Sequence, residues 1–374
     1  MNCHHYLKKH CLSCDLLSLS YAASVKHKEQ VLSALFPQEQ SKIKPSVLSN
    51  QHAGSRNKAK LAAALINNEM QFGFYDSAQQ FKVLEDCPLH AEPINQLLLD
   101  LKKTLNIKPY DLKTQSGELK FVIITHSEST NEILLRFVLR SKAALNHLKS
   151  LVPIITQKRP SVTVITANIQ SKHQAILEGD EEIVLTPKES IAHQFGDVTL
   201  YQGPRSFFQT HSAMALQLYQ HFQTELSRLP VKSLLDLYCG VGAFSFFASK
   251  QCSTVVGVEI SASAIAYANE VRAVNAANDI QFIAMDVEVY LKSLQPNGFD
   301  AILVNPPRRG LNQAIIDDIL RLAPNTLFYS SCNADTLHRD WLQLEPQYQI
   351  ASLQLFDMFP HTRHFETLMV LTKK

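Results

Sequence analysis

From residue 212 onward, short apolar runs alternate with helical stretches, and this alternation constrains the fold more than any other feature of the chain. A long amphipathic helix is predicted over 213–229, and strands are predicted over 233–237, 254–259, 280–285, 300–304 and 326–330. Alternating βα units form a parallel sheet with helices on both faces. The sequence therefore predicts an α/β fold, with a Rossmann-like domain in its C-terminal half.

The segment before this domain has a different pattern. Six short runs between residues 117 and 202 are rich in β-branched residues and partly alternate: LKFVIITH, EILLRFVLRS, SVTVITANIQ, QAILEG, EEIVLT and DVTLYQ. Such runs are typical of an antiparallel sheet, and helices are predicted beside them over 93–105 and 142–151. We therefore expect three domains: residues 1–90, a central α+β domain over 91–205, and the α/β domain over 206–374.

Polar side chains mark the ends of the five predicted C-terminal strands. They are Asp236, Glu259, Asp286, Asn305 and Cys332. In an open α/β sheet, ligands bind beyond the carboxyl ends of the strands. The same edge of the sheet is therefore the expected functional site.

The first strand runs into a glycine-rich loop, Asp236-Leu-Tyr-Cys-Gly-Val-Gly242. Glycines there let the backbone turn tightly and approach a ligand. Glu259 follows Gly242 by 17 residues, which is near the spacing at which a carboxylate binds ribose hydroxyls. The loop departs from the dinucleotide pattern G-x-G-x-x-G and resembles that of S-adenosylmethionine-dependent methyltransferases; a glycine-rich turn of an unrelated α/β protein is the alternative.

Cys332 lies among polar residues at the end of a strand, where a thiol is placed to react. A free cysteine kept for packing would lie inside the apolar run. A thiolate beside a methyl donor suits an acceptor that is not nucleophilic by itself, such as carbon 5 of uracil, because addition to carbon 6 activates carbon 5. The reaction also needs a base. Glu366, just before an apolar strand, is the candidate, although a glutamate there is more often a solvated edge charge.

Three motifs, SSCNADT, NPPRRG and FDMFPHTRHFE, together resemble those of the bacterial RNA (uracil-5-)-methyltransferase family, and FFQTH at 207–211 resembles a further element of it. The resemblance extends over essentially the whole chain. It implies that Cys332 is the nucleophile and Glu366 the base. The cofactor contacts that it implies are Gln209, Tyr238, Glu259 and Asn305, with Asp286 a lesser candidate near the adenine.

Three positions depart from the commonest pattern of this family. Position 305 is Asn where many members have Asp, position 211 is His where Asn is usual, and position 243 is Ala where some members have a cofactor-binding Asn. These departures put individual contacts in doubt and leave the family assignment intact.

Four cysteines form a candidate metal site: Cys3, Cys11, Cys14 and Cys87. Two thiolates in a C-x2-C unit can face one ion across a turn, but the spacing alone leaves zinc, an iron–sulfur cluster and no metal open. The family resemblance implies a [4Fe-4S] cluster, because several ribosomal members carry one on this pattern. Cys239 and Cys252 are interpreted as packing residues.

The N-terminal charge points to RNA. Residues 1–60 hold nine Lys or Arg against three acidic residues, although the whole chain has a net charge of only +2. Segment 55–60, SRNKAK, resembles a basic RNA-facing loop of the family. A solvated basic surface is the alternative interpretation.

The family resemblance also narrows the substrate. One branch of the family combines a cluster with the absence of an additional β-barrel ahead of the first cysteine, which is Cys3 here. The resemblance implies that members of this branch methylate uracil 747 of 23S ribosomal RNA. Another uracil in rRNA or tRNA, and a non-catalytic iron–sulfur RNA-binding protein, are the alternatives. An exocyclic-amine methyltransferase is disfavoured because Arg308, not an aromatic residue, follows Asn-Pro-Pro. With no signal peptide or membrane span apparent, we expect a cytoplasmic protein, and no obligate protein partner is evident.

Overall fold

The computed structural model describes residues 1–172 and 177–374. The described chain forms two compact units. The first comprises Met1–Leu12 and Gln51–His193, and the second comprises Ser13–Asn50 and Gln194–Lys374. Part of the strand predicted over 174–179 lies outside the described residues. No helix in the described ranges is both long and apolar enough to cross a membrane.

Helices and strands alternate from residue 212 to residue 356, whereas strands often follow one another directly in the part before it. The α-helices are α1 (His4–Leu7), α2 (Tyr21–Leu35), α3 (Glu92–Thr104), α4 (Leu145–Lys158), α5 (Ser212–Ser227), α6 (Ala243–Ala248), α7 (Ala262–Val274), α8 (Val287–Ser293), α9 (Gln313–Leu322) and α10 (Ala334–Leu344). The strands are β1 (Lys58–Ile66), β2 (Glu69–Tyr75), β3 (Phe81–Val83), β4 (Leu119–His126), β5 (Ile133–Leu139), β6 (Val162–Ile169), β7 (Glu181–Val184), β8 (Ile191–Phe195), β9 (Val198–Gln202), β10 (Ser233–Leu237), β11 (Thr254–Glu259), β12 (Ile280–Ala284), β13 (Ala301–Val304), β14 (Thr326–Ser331), β15 (Tyr348–Phe356) and β16 (Glu366–Lys373).

The first unit is built on one sheet with the strand order β3-β2-β1-β4-β5-β6-β7. Its pairs are antiparallel except β5 with β6, which are parallel. Helix α4 connects these two strands, as a parallel pair requires a long crossover. Apolar residues of α3 and α4 pack with one face of the sheet, where Leu135 and Phe137 of β5 are fully buried. Every pair of this sheet except β5 with β6 is thus antiparallel, as expected, but the predicted strand at 197–202 is β9, which pairs with β8 in a separate two-stranded sheet.

The second unit contains a sheet with the order β12-β11-β10-β13-β14-β16-β15. The strands from β12 to β14 are parallel, and β16 and β15 are antiparallel to their neighbours. Successive residues of a strand face opposite sides of a sheet. Leu234 accordingly belongs to the core with α5, α6 and α7, and Leu235 to the core with α2, α8, α9 and α10. The predicted α/β fold with helices on both faces is confirmed.

The two compact units differ from the three predicted segments. The boundary expected at residue 90 falls inside the first sheet, because β1 pairs with β4 as well as with β2. Residues 13–50 belong to the second unit. The reason is apolar burial: Leu32 and Phe36 lie in the core on one face of the second sheet. Segment 55–60, expected to be a loop, runs into β1 instead.

Candidate active site

The carboxyl ends of the parallel strands lie at one edge of the second sheet, as expected. In the register, Leu237 pairs with Val304 of β13 and with Val258 of β11, and Val304 pairs with Tyr329 of β14. The residues that follow these pairs, among them Tyr238 and Asn305, therefore leave the sheet side by side. The register thus brings the ends of β10, β13 and β14 together at one edge of the sheet.

The glycine-rich loop after β10 has three residues in the left-handed region of backbone space. Tyr238 has a φ of 61°, Gly240 of 57° and Gly242 of 85°. A side chain at position 242 would lie 2.5 Å from the ring of Phe282, so glycine is required there for space as well. A tyrosine with positive φ is unusual. Such a residue persists where its surroundings fix it, so this loop is a candidate for a functional one.

A cavity opens beside this loop. It is lined by residues from the loop, from segment 207–209 and from the end of β13: Phe207, Phe208, Gln209, Tyr219, Tyr238, Cys239, Gly240, Val241, Ala243, Phe244 and Asn305. No heavy atom lies within 4 Å of the position that a Cβ would take at Gly240, so the backbone is open there. Phe207 is 70% exposed and offers a ring for stacking. Aromatic rings, amide groups and bare backbone together suit a nucleoside ligand.

Glu259 ends β11 next to the same loop. Its Oε2 accepts a hydrogen bond from the Gly240 N–H at 3.3 Å, and its Oε1 accepts one from the Ser261 N–H at 2.9 Å. Each carboxylate oxygen has a second lone pair, so both can still accept bonds from ribose hydroxyls. The structure thus brings Glu259 to the loop that carries Tyr238, and Gln209 and Asn305 line the cavity beside it.

Two acidic residues of the strand ends have structural partners. Asp286 caps helix α8, because its Oδ1 accepts from the N–H groups of Glu288 and Val289 at 2.9 and 3.2 Å. Asp236 is fully buried and accepts from the Ser245 hydroxyl at 2.6 Å. Burial raises the pKa of Asp236 to about 7. Neither of these acids lines the cavity.

Cys332 lies between β14 and α10, in a second cavity of about 450 Å³ that is also lined by Arg308, Asn333, Arg363 and His364. Burial, and next the nearby Glu366, raise the pKa of the Cys332 thiol. The Arg308 guanidinium opposes this rise, through its charge and through a hydrogen bond. A cation beside a thiol favours the thiolate, which is the nucleophilic form. Arg308 is therefore the charged group at this site that favours the thiolate of Cys332, against the larger effect of burial.

Glu366 is the first residue of β16, and its side chain is buried. Its Oε1 accepts a hydrogen bond from the Ser330 hydroxyl at 2.8 Å and one from the Asn305 amide at 3.5 Å. Its Oε2 is buried without a hydrogen-bond partner among the described residues. Burial raises the pKa of Glu366 to about 7. A carboxylate with such a pKa is suited to proton abstraction near neutral pH.

Asn305 connects the two parts of the site. It lines the cavity next to the glycine-rich loop, and its amide nitrogen lies 3.5 Å from Glu366 and 3.4 Å from the Ser330 carbonyl oxygen. An asparagine can donate to a carboxylate, whereas an aspartate here would repel Glu366. The departure at position 305 therefore matches the environment that the structure gives it.

The structure also places the other two departures. His211 precedes helix α5, and its Nε2 is 2.8 Å from the hydroxyl of Ser49. Ala243 is the first residue of helix α6 and lines the cavity next to the loop.

Two side chains that contact the candidate catalytic residues are absent from the sequence prediction. Ser330 holds the carboxylate of Glu366, and Arg308 contacts both the thiol and, at 3.0 Å, the Nδ1 of His364. Both residues stand inside the motifs SSCNADT and NPPRRG, so the signal was present. What the sequence lacked was the orientation of each side chain.

The four candidate metal ligands are divided between the units: Cys3, Cys11 and Cys87 belong to the first, and Cys14 to the second. Cys3 and Cys14 are each 8% exposed. Burial raises the pKa of Cys87, and the nearby Cys11 adds to the rise. His4, His5 and Asp86 also lie together, with the Nε2 of His5 at 2.6 Å from Asp86. None of the cysteines forms a disulfide in the described structure.

Comparison with known proteins identifies the family of this chain. The chain is 37% identical to the 23S rRNA (uracil(747)-C(5))-methyltransferase RlmC of Xenorhabdus bovienii, over 99% of both chains. It is 36% identical to the protein of that name from Vibrio vulnificus, over 100% of both. The structure resembles the tRNA (uracil-54, C5)-methyltransferase of Pyrococcus abyssi solved with S-adenosyl-L-homocysteine, with a TM-score of 0.79, 26% identity and coverage of 96% of this chain and 86% of that one. A family model, tRNA (Uracil-5-)-methyltransferase, matches residues 20–374, and the chain belongs to that family.

Proposed function

We propose that this protein transfers a methyl group from S-adenosylmethionine to carbon 5 of uracil 747 in 23S ribosomal RNA, through a covalent adduct with Cys332. The proposal rests mainly on the position of Asn305. This residue lines the cavity beside the glycine-rich loop, and its amide also donates to the carboxylate of Glu366. The ribosomal substrate is supported by relatives at 36–37% identity that are named for that nucleotide. A ribosomal RNA substrate also fits the expected cytoplasmic location.

Cys332 begins the reaction as the nucleophile. Its thiolate sulfur forms a bond to carbon 6 of uracil, and the electrons of the 5,6 double bond move onto the ring as an enolate. The charge of Arg308 opposes the rise in the pKa of the thiol that burial causes, and so favours the attacking thiolate. Covalent addition of this kind makes carbon 5 nucleophilic, which unmodified uracil is not.

Glu366 completes the reaction as the base. After carbon 5 has taken the methyl group, the free Oε2 of Glu366 removes its remaining proton, and the bond between carbon 6 and sulfur breaks with its electrons returning to Cys332. The hydroxyl of Ser330 and the amide of Asn305 hold Oε1, so the carboxylate is oriented before the substrate arrives. Such preorganisation removes the cost of orienting a base during the reaction.

The proposed cofactor contacts are Gln209, Tyr238, Glu259 and Asn305. S-adenosylmethionine supplies an electrophilic methyl group on a sulfonium ion. The oxygens of Glu259 suit ribose hydroxyls, and the open backbone at Gly240 allows close approach of the ligand. Gln209 and Asn305 offer amide groups for the polar end. Asp286 is a poorer candidate, because its Oδ1 already caps helix α8.

We further propose that Cys3, Cys11, Cys14 and Cys87 bind a [4Fe-4S] cluster. Cys3 and Cys14 are buried, and Cys11 lies near Cys87, which is consistent with ligands shielded from solvent. Thiolate ligands are what such a cluster requires. The basic residues of segment 55–60 are proposed to face RNA, although Lys58 lies in a strand and burial lowers its pKa to about 8.

Mass mapping of a 23S rRNA transcript after incubation with the protein and isotope-labelled S-adenosylmethionine tests the function. Label on carbon 5 of uracil 747 is the expected result. Label on another uracil would overturn the target and keep the chemistry, and label on an exocyclic amine would overturn both.

A further inference from the structure

The loop that leads into the proposed base is held by a distant part of the chain. We call residues 357–365, between β15 and β16, the base loop. The Leu16 N–H donates to the carbonyl oxygen of His361 at 3.0 Å. Asp15 accepts the Arg363 N–H at 2.9 Å with Oδ1, and its Oδ2 lies 2.6 Å from the Arg363 Nε. Two consecutive residues of the N-terminal segment therefore contact the tip of the base loop.

A second contact holds the start of the base loop. Lys28, from helix α2, donates through Nζ to Asp357 Oδ1 at 2.5 Å and to the carbonyl oxygen of Phe359 at 3.0 Å. The side chains of Lys28 and Asp357 are both 0% exposed. This end of the base loop is thus fixed inside the protein, whereas the Asp15–Arg363 pair lies at the surface, with Arg363 71% exposed.

The base loop has a backbone conformation that requires such support. His361 has a φ of 64°, in the left-handed region that non-glycine residues rarely adopt. Such conformations persist when the surrounding structure imposes them. The hydrogen bond from Leu16 ends on the carbonyl group of this same residue. Loss of the contact therefore favours a relaxed loop.

A shift of the base loop would move side chains that line the candidate active site. Arg363 and His364 line the cavity of Cys332, and Glu366 follows Phe365 at the end of the loop. Cys332 itself lies on another segment, between β14 and α10. A displaced base loop would therefore impair proton removal by Glu366 more than addition of the thiol.

Cys14 directly precedes the two residues that contact the base loop, Asp15 and Leu16. The Leu17 N–H donates to the Cys14 carbonyl oxygen at 3.0 Å, so Cys14, Asp15 and Leu16 lie in one turn. Cys14 is buried. A ligand that fixes the Cys14 thiol thereby restrains the two residues that hold the base loop.

We infer that Asp15 is a positioning residue for the base loop, and that metal binding at Cys14 acts through it to set the rate at which the uracil adduct is resolved. The coupling to metal rests on the proposed function of Cys14. The step that slows is the last one of the proposed reaction. In it, Glu366 removes the proton from carbon 5, and the bond between carbon 6 and the sulfur of Cys332 breaks.

The test uses the full-length, metal-loaded protein, a 23S rRNA transcript and S-adenosylmethionine. For Asp15→Ala we expect kcat to fall on the order of tenfold, as small misplacements of reacting groups produce. The denaturation-resistant protein–RNA adduct should rise in parallel, while the Kd for S-adenosylmethionine and the iron content stay at wild-type values. Asp15→Asn keeps an oxygen for the Arg363 N–H and should recover much of the activity.

Asp197→Ala is the matched control, because Asp197 also forms an exposed ion pair in the second unit, with Lys250. It should behave as wild type. If Asp15→Ala shows the adduct fraction of wild type and of this control, the positioning role is refuted. No adduct in any variant, including Glu366→Gln, would instead refute the covalent mechanism, so the two failures are distinguishable.

The coupling is tested by removing the metal. In the wild type, removal should raise the adduct fraction as Asp15→Ala does, and in Asp15→Ala it should add little. Equal increases in both proteins would show that Asp15 does not transmit the effect and would overturn the coupling.

Discussion

Replacing Glu366 by Gln tests whether the pKa of this carboxyl is raised, because a raised pKa makes the stability of the wild type depend on pH. Burial raises the pKa of Glu366 from 4.5 to about 7. One pKa unit corresponds to about 1.4 kcal/mol, so ionising this carboxyl in the folded protein costs about 3 kcal/mol more than in the unfolded chain. Between pH 4.5 and pH 7 the folded state binds more protons than the unfolded state. This group therefore makes the wild type less stable as the pH rises.

The variant lacks this pH-dependent loss. At pH 5 the carboxyl of the folded wild type is protonated, and the penalty is below about 1 kcal/mol. At pH 8 the carboxyl is ionised and the penalty is about 3 kcal/mol. The stability of Glu366→Gln relative to wild type should therefore improve by about 2 kcal/mol between these pH values. The glutamine of the variant does not titrate, so its own hydrogen bonds to Ser330 and Asn305 change the stability of the variant by the same amount at pH 5 and at pH 8.

The assay is thermal unfolding of both proteins at pH 5 and at pH 8, in the absence of cofactor. With about 2–4 °C of Tm per kcal/mol for a unit of this size, the Tm difference should move by about 4–8 °C in favour of the variant. A Tm difference that stays constant with pH would refute the raised pKa. With ordinary RNA the same variant should accumulate the covalent adduct, because the carbon 5 proton has no base to accept it.

Three further outcomes are expected. Cys332→Ala should abolish methyl transfer and leave the Kd for S-adenosylmethionine unchanged, and 5-fluorouracil RNA should trap the wild type covalently; methylation by the variant at the wild-type rate would contradict the mechanism. Lys28→Met should lower the free energy of unfolding by about 3–5 kcal/mol in chemical denaturation, because it leaves Asp357 buried and uncompensated; an unchanged free energy would show that the pair is not needed. Protein purified without oxygen should be brown with about four irons per chain, and Cys87→Ser should bleach it; zinc in place of iron would rule out the cluster.

The second unit was predictable because its signals are local. The runs at 233–237 and 254–259 are bounded by polar or turn residues, and they coincide with β10 and β11 residue for residue. Once parallel strands are inferred, their carboxyl ends must share one edge. The placement of Glu259, Asn305 and Cys332 at that edge follows from this rule alone.

The first unit was predicted less completely. Strand β1 has the sequence KAKLAAALI, and its alanines favour helix by intrinsic propensity. Its pairing with β2 and β4 overrides that preference, as packing on neighbours often does in sheets. The parallel pairing of β5 with β6 was missed for another reason, since strand direction depends on the connecting helix and not on the strands themselves.

The contacts of the base loop were out of reach of the sequence. Asp15 and Arg363 are separated by 348 positions, and Lys28 and Asp357 by 329. Neither pair belongs to a periodic pattern, and each residue alone reads as an ordinary surface charge. Only the folded chain reveals that the N-terminal segment supports the loop before Glu366.

The pairing of β14 with β16 affects how the fraction of active molecules in a refolded sample should be measured. Ser331 lies opposite Thr367 in this antiparallel register, one residue from Glu366. A slip of one residue sends every side chain of a strand to the other face of the sheet, so the carboxylate would leave the site although the strands remained paired. Circular dichroism would scarcely register such a molecule as misfolded. Turnover per refolded chain therefore reports the alignment of β16 with β14, which spectra of secondary structure do not resolve.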